Sequence, residues 1–229
     1  MRALLLAVAV TTAAAVAASP ICAQQAAQHP TPQTAQHNND QHKSTPNGDH
    51  IPQERAADSY AIYSLLMPGK LFEHIASESA TRWAVAQKTV GFADINPRID
   101  PRGALKPPPG DEEAFHQAVA DFERLQDTTY RLRPRLHLDR PYDLLDPDQV
   151  RDLRHAKSGL DPGSRLQARY AAYPGVTFFS AVYFSDDQKA ALVYVNDWCG
   201  VLCAQAQWVF LQKENGHWER MSGITIPGT

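Results

Sequence analysis

Only three cysteines occur in the 229 residues, Cys22, Cys199 and Cys203, so neither a disulfide-rich scaffold nor a four-thiolate zinc site can be built. No His-x3-His pair accompanies them, and no metal or cofactor is expected. Positive charge is also short. There are 22 Lys and Arg against 25 Asp and Glu, a formal charge of −3, whereas binding to a phosphate backbone leaves a basic footprint, so no nucleic-acid partner is expected. The densest basic run, Arg131-Leu132-Arg133-Pro134-Arg135, has acids on both sides and reads as a solvated loop. Catalytic signatures are missing too: there is no G-x-S-x-G elbow, phosphate-cradling glycine loop, H-E-x-x-H or dinucleotide fingerprint. Ser180, His137, His155 and Asp186-Asp187 supply the residue types of a Ser/His/Asp set, but a triad is recognised by geometry, and a chain of this length offers such residues by chance.

Long apolar runs are absent after Ala18. The run Ala3 to Ala18, behind Arg2 and ahead of Ser19-Pro20-Ile21-Cys22-Ala23, is shorter than the ~20 residues of a membrane span and reads as a secretory signal peptide, residues 1–23. Cleavage after Ala23 is favoured over lipidation of Cys22, because Ile21 is bulky where that processing wants a small residue. The mature chain is then secreted or periplasmic with no transmembrane segment. Residues 24–51, rich in Gln, His and Pro, contain almost no aliphatic side chain larger than alanine and read as a disordered linker carrying His29, His37, His42 and His50.

Residues 52–229 are predicted to form one α+β domain. Ala56, Tyr60, Tyr63 and Met67 recur at helical spacing until Pro68-Gly69, and Phe115, Ala118, Val119, Phe122 and Leu125 mark a second helix opened by Asp111. Asp146-Pro147 and Asp161-Pro162 mark two short helix starts. Between the first two helices, prolines 97, 101 and 107–109 keep the chain extended, and Asp94, Asn96 and Asp100 form a turn in preference to a calcium loop, whose glycine and terminal carboxylate are lacking. The stretch from Val176 to Ile224 reads as four antiparallel strands, with turns at Ser185–Gln188, Cys199–Cys203 and Asn215-Gly216. Trp83 and Val85 suggest a fifth strand. The predicted fold is thus an antiparallel sheet of four to five strands packed against N-terminal and central helices, with Phe178, Ser180, Val182 and Phe184 on one face.

Cys199-Gly200-Val201-Leu202-Cys203, followed by Leu211-Gln212-Lys213 and Gly216-His217-Trp218, resembles the C-terminal region of uncharacterised secreted bacterial proteins that carry C-G-x-L-C and L-x-K-x-x-G-x-W. Ala204 and Ala206 stand where that pattern has glycines. The resemblance implies no activity, although its terminal hairpin is also similar to the end of cone-shaped NTF2-like domains.

Two cysteines in an exported chain are expected to pair, so Cys199 and Cys203 form a disulfide that makes the chain curl at Gly200. The leading expectation for function is a noncatalytic module that binds a protein, a glycan or a small-molecule ligand, with Trp198, Tyr194 and Tyr183 as its candidate surface. An NTF2-like cone-fold enzyme acting on a small molecule is the alternative. A thiol redox protein ranks below both, since three residues separate the cysteines where thioredoxin-like motifs have two.

Overall fold

A computed structural model describes residues 50–75, 80–95 and 98–222. The predicted signal peptide, most of the predicted linker, Asn96 and Ile224 lie outside the described residues. His50 and Ile51, placed in the linker by sequence, already belong to the fold: Ile51 packs against two hydrophobic clusters, and His50 Nδ1 lies 2.8 Å from the Arg131 carbonyl oxygen.

Helix α1 (Gln53–Leu66) starts at Pro52, which cannot donate to a preceding turn, and stops where Met67 turns extended before Pro68. Its buried stripe is Ser59, Tyr60, Ile62, Tyr63 and Leu66. Helix α2 (Lys70–Ile75) follows, then strand β1 (Trp83–Ala86). The proline-bearing stretch after β1 is not uniformly extended, contrary to expectation. A 3-10 turn (Phe92–Asp94) is closed by Asp94 Oδ2 accepting from Gly91 N, and Asp100 caps α3 (Pro101–Ala104) by accepting from Arg102 N at 2.8 Å. Two of the acids with calcium-like spacing are therefore occupied in local turns. Helix α4 (Glu112–Leu125) buries Phe115, Ala118, Val119 and Phe122, as its periodicity predicts, although the Asp111 side chain does not cap it.

The loop-rich middle conceals strand β2 (Tyr142–Leu145). After it, α5 (Pro147–Lys157) opens with a reciprocal cap in which Asp146 and Gln149 bond each other's backbone. Helix α6 (Arg165–Arg169) begins at Ser164 and not at Asp161, because the Ser164 hydroxyl is the group that accepts from Gln167 N. Strands β3 (Val176–Phe179), β4 (Tyr183–Phe184), β5 (Ala190–Gly200), β6 (Cys203–Glu214) and β7 (His217–Arg220) complete the chain.

The sheet has seven strands in the order β2-β1-β3-β5-β6-β7, with β4 beside β5. It is mixed, which corrects the antiparallel four-to-five-strand prediction: β1 pairs in parallel with both β2 and β3, and antiparallel pairing starts at β3 with β5. Parallel neighbours need long connections. The residues between β1 and β2, and α5 with α6 between β2 and β3, provide them. The C-terminal hairpin matches expectation, with Asn215 at φ 50° and Gly216 at φ 85° forming a two-residue turn in which both central residues are left-handed.

The first predicted meander strand is broken between β3 and β4. Phe179 opposes Val195 whereas Tyr183 opposes Leu192, so one extra residue enters and the side-chain alternation slips. Phe179, not Phe178, therefore shares a core with Val182 and Phe184. Ser180 secures the break. Its hydroxyl donates to the Ala181 carbonyl and accepts from Tyr194 N, its own N–H donates to Tyr194 O, and its carbonyl accepts from the Tyr63 hydroxyl.

Both sheet faces are covered. On one, α1 and α2 pack with Trp83, Val85, Phe179, Val193, Val195 and Leu211. On the other, α3 and α4 cover Tyr183, Leu192, Tyr194, Trp208 and Phe210, while α5 and α6 cover Ala84, Ala86, Leu145 and Val176. The layers approach closely where side chains vanish: a Cβ on Gly69 would fall 1.7 Å from Asp197 Oδ2, and one on Gly175 would fall 2.1 Å from the Trp198 carbonyl oxygen.

Candidate functional site

The aromatic surface expected from sequence is core. Tyr183 is 1% exposed and Tyr194 4% exposed, and both rings pack on Trp208 beneath α4. Tyr194 lies on the inner strand β5 and Tyr183 on β4 beside it, and α4 covers that face, so their aromatic mass serves packing. Trp198 is half-buried against the α5/α6 cluster, with the Arg154 guanidinium 5.1 Å from its ring centre. These three residues do not form one free face.

Cys199 and Cys203 stand at disulfide distance, with Cα atoms 5.1 Å apart. The geometry differs from a helical curl at Gly200. β5 runs through Gly200, which pairs directly with Cys203, and the chain reverses over Val201 and Leu202. A bulge between Trp198 and Gly200 shifts the register so that the two sulfurs meet across the hairpin. The cysteines thus fasten a hairpin tip to itself.

The chance Ser/His/Asp set does not assemble. Ser180 is fully buried and its hydroxyl is committed to the strand break, while His137 and His155 are exposed and Asp187 binds its own turn through Ser185 and Lys189 N. Among the described residues, no group of three or more His, Cys, Asp or Glu side chains is arranged to hold a metal ion.

Two buried carboxylates look catalytic by burial alone, and their partners explain them. Asp121 on α4 takes the Arg55 guanidinium from α1, the Arg124 guanidinium one turn along, and Phe184 N from β4 at 2.9 Å. Arg55 also donates to the Val182 carbonyl at 2.7 Å and lies over the Phe184 ring. The group ties α1, α4 and the strand break together. Asp197 on β5 accepts from the Thr177 hydroxyl at 2.7 Å and from the Leu71 backbone N–H at the start of α2, and burial pushes its carboxyl up to about 6.

A different region combines exposed cations with a fixed backbone. Residues 131–138 read Arg-Leu-Arg-Pro-Arg-Leu-His-Leu, and the structure turns that alternation into two faces. Leu132 and Leu136 are buried and Leu138 packs beside them, while Arg131, Arg133, Arg135 and His137 are exposed. This segment is not a loose solvated loop. Leu132 N donates to Gln87 O at 2.7 Å, Arg133 N to the Tyr60 hydroxyl at 2.7 Å, Leu136 N to the Tyr142 hydroxyl at 3.0 Å, and His137 N to Ser64 Oγ at 2.9 Å. Arg135 N bonds Arg133 O across Pro134, a tight turn that brings both guanidinium stems to one rim.

Between this rim and α1 runs an open groove of about 840 Å3. Its basic wall is Arg133, Arg135 and His137, and its other wall is Gln53, Ala56, Ala57, Tyr60 and Ala61, with His50 at one end. No lining residue is acidic. Among the described residues, Arg131, Arg133 and Arg135 have no carboxylate within ion-pair distance; Arg55, Arg82, Arg102, Arg124 and Arg151 have one, and the remaining arginines, such as Arg154 and Arg169, do not, so what sets this run apart is three such cations at alternate positions of one fixed segment. Sequence reasoning missed this groove because the run was weighed by net charge. The signal that finds it is the period-two alternation of basic and leucine residues, which marks a pinned extended segment.

Comparison with protein-family models, with curated proteins and with solved structures gives no match.

Proposed function

We propose that this chain is a noncatalytic binding module of the secreted or periplasmic space, and that its ligand lies in the groove between α1 and residues 131–138. The observation that carries the reading is the combination of a backbone fixed by four cross-element hydrogen bonds with a lining of unpaired cations. Binding sites gain affinity when their polar groups are held in place beforehand, because little ordering then remains to be done on association. A volume of about 840 Å3 falls in the range of ligand sites, which run from roughly 300 to 1,000 Å3.

The cone-fold enzyme reading requires a hollow against the sheet with an acid or base inside it. Here the middle of both sheet faces is filled by side chains, and the buried acids Asp121 and Asp197 are engaged by neighbouring elements. A redox role for Cys199 and Cys203 is less favoured, because the pair fastens the tip of a hairpin between two strands and has three residues between the cysteines where thioredoxin-like motifs have two.

The test is a nuclear magnetic resonance titration of the folded chain with panels of neutral and charged saccharides, amino acids and small carboxylic acids. The expected result is a ligand that shifts the amides of Ala57, Ala61, Arg133 and His137 together. Shifts confined to the hairpin tip or the α5/α6 face would overturn the assignment of the site. Export is checked separately by the intact mass of the secreted form, expected to begin at Gln24.

A further inference from the structure

Resting on the groove as the binding site, we infer that its ligand is an acidic oligosaccharide, held by carboxylates or sulfates that pair with Arg131, Arg133 and Arg135. The permanently charged guanidinium groups provide planar donor forks suited to oxyanions. Their row is extended at both ends: Lys88 faces Arg131 across an antiparallel bridge, and His137 continues the exposed alternation. From Arg131 to His137 the row measures at most about 20 Å, with the turn at Pro134 shortening it. A single small anion would use one or two of these groups, whereas a chain with recurring charges meets them all. The local field is opposite in sign to the whole molecule, whose formal charge is −3, so the groove concentrates anions that the rest of the surface repels.

The uncharged wall argues for a saccharide over a nucleic acid. Single strands are gripped by aromatic faces on which bases stack. Of the rings in the lining, Tyr60 is 6% exposed with its hydroxyl bonded to Arg133 N, and the others are the small imidazoles of His137 and of His50, whose Nδ1 lies 2.8 Å from the Arg131 carbonyl oxygen. In its place stand Ala56, Ala57 and Ala61, a shallow surface for the C–H face of a sugar ring, and the Gln53 amide, which can both donate to and accept from hydroxyls. A lipid surface fits no better, since the alanines offer nothing bulky to insert and Ile51, the one large aliphatic side chain in the lining, is half-buried and packed against two core clusters.

The test is isothermal titration calorimetry of the full chain with three probes of similar length: a sulfated hexasaccharide, an uncharged glucose hexasaccharide and a single-stranded oligonucleotide. We expect the sulfated probe to bind, with the other two at least about tenfold weaker. Arg133→Glu with Arg135→Glu should weaken the sulfated probe by about tenfold or more and reduce the salt dependence of its affinity. The same change of net charge made on the opposite sheet face, Arg151→Glu with Arg165→Glu, should alter it by less than about twofold. If the reversal variant fails to fold, Arg133→Gln with Arg135→Gln keeps the stems and serves instead.

The inference is overturned if the sulfated probe does not bind, if both charge-reversal pairs weaken it equally, or if the oligonucleotide binds as tightly. Failure of this inference is distinguishable from failure of the groove itself. Neutral sugar that shifts Ala57 and Ala61 leaves the groove standing without its anion, and no response there to any probe removes both.

Discussion

Arginines on α1 and its partner helix and arginines on the facing segment 131–138 are used in opposite ways. Arg55 is largely buried, shares the Asp121 carboxylate with Arg124, and also donates to the Val182 carbonyl. Arg133 and Arg135 are exposed, have no carboxylate partner among the described residues, and reach over an open groove. Only the backbones of the second set are tied down. A charge satisfied by its own protein holds the fold together, and a charge fixed in place but left without a partner is available to something else. The comparison predicts that variants of the first set unfold the domain, while variants of the second leave it folded and change what it binds.

The largest effect is expected at Asp121. Replacing it with alanine leaves Phe184 N without its acceptor and the Arg55 guanidinium with the Val182 carbonyl but no counter-charge, and breaking a buried pair in this way costs about 3–5 kcal/mol. Urea unfolding should register a loss of that order. A loss below about 1 kcal/mol would mean that Asp121 is not what ties α1 to α4, and the contrast with the groove would weaken.

Asp197 sharpens the comparison, because it is a buried acid with no cation bonded to it among the described residues. Its carboxyl is raised from the usual 3.8 to about 6, so the folded state holds its proton more tightly than the unfolded chain. Stability from this group is therefore fully present below about pH 4 and is lost as the pH rises through 6, a difference of about 3 kcal/mol. Asp197→Asn should accordingly be more stable than the wild type at pH 8 and should match it near pH 4. Asp143 acts in the other direction: its hydrogen-bonded partner Arg82 lowers its pKa, so its contribution fades on acidification. The difference between wild type and Asp197→Asn cancels that background. A difference that does not depend on pH would contradict the assignment.

Smaller effects follow at the hairpin tip and the rim. Reducing the Cys199–Cys203 link opens a very short loop, which on the chain-entropy model costs about 2 kcal/mol, and the groove lined by α1 and residues 133–137 should be unaffected. Tyr60→Phe removes the acceptor of Arg133 N and should cost about 1 kcal/mol. Its sharper signature is faster amide exchange at Arg133 with little change at Leu132, whose bond to Gln87 O is untouched.

How much of this was legible in the residues follows from what kind of signal each element carries. The helices α1, α4 and α5 declare themselves through period and punctuation, above all by Pro68, by the Phe115–Phe122 stripe and by Asp146-Pro147. The long hairpin of β5 and β6 and the Asn215-Gly216 turn were equally readable. β2 was not, because Tyr142-Asp143-Leu144-Leu145 is too short to display a period, and the direction in which β1 pairs is written in the connections and not in its own residues. The register slip at Ser180 was invisible for a similar reason: a serine at a strand position gives no sign that its hydroxyl will bind across the sheet. At the candidate site, exposed aromatics were sought where strands are rich in them, yet a sheet covered on both faces turns those same residues inward. The basic run is plain in the sequence, but its net charge says nothing of the leucines that bury and orient it.

The most direct measurement is the stability of the double variant Arg133→Glu with Arg135→Glu, determined by urea unfolding beside the wild type. If these side chains are free and only their backbones are structural, the two proteins unfold within about 0.5 kcal/mol of one another. A loss approaching that of Asp121→Ala would show that the rim arginines hold the fold, and would contradict their availability to a ligand.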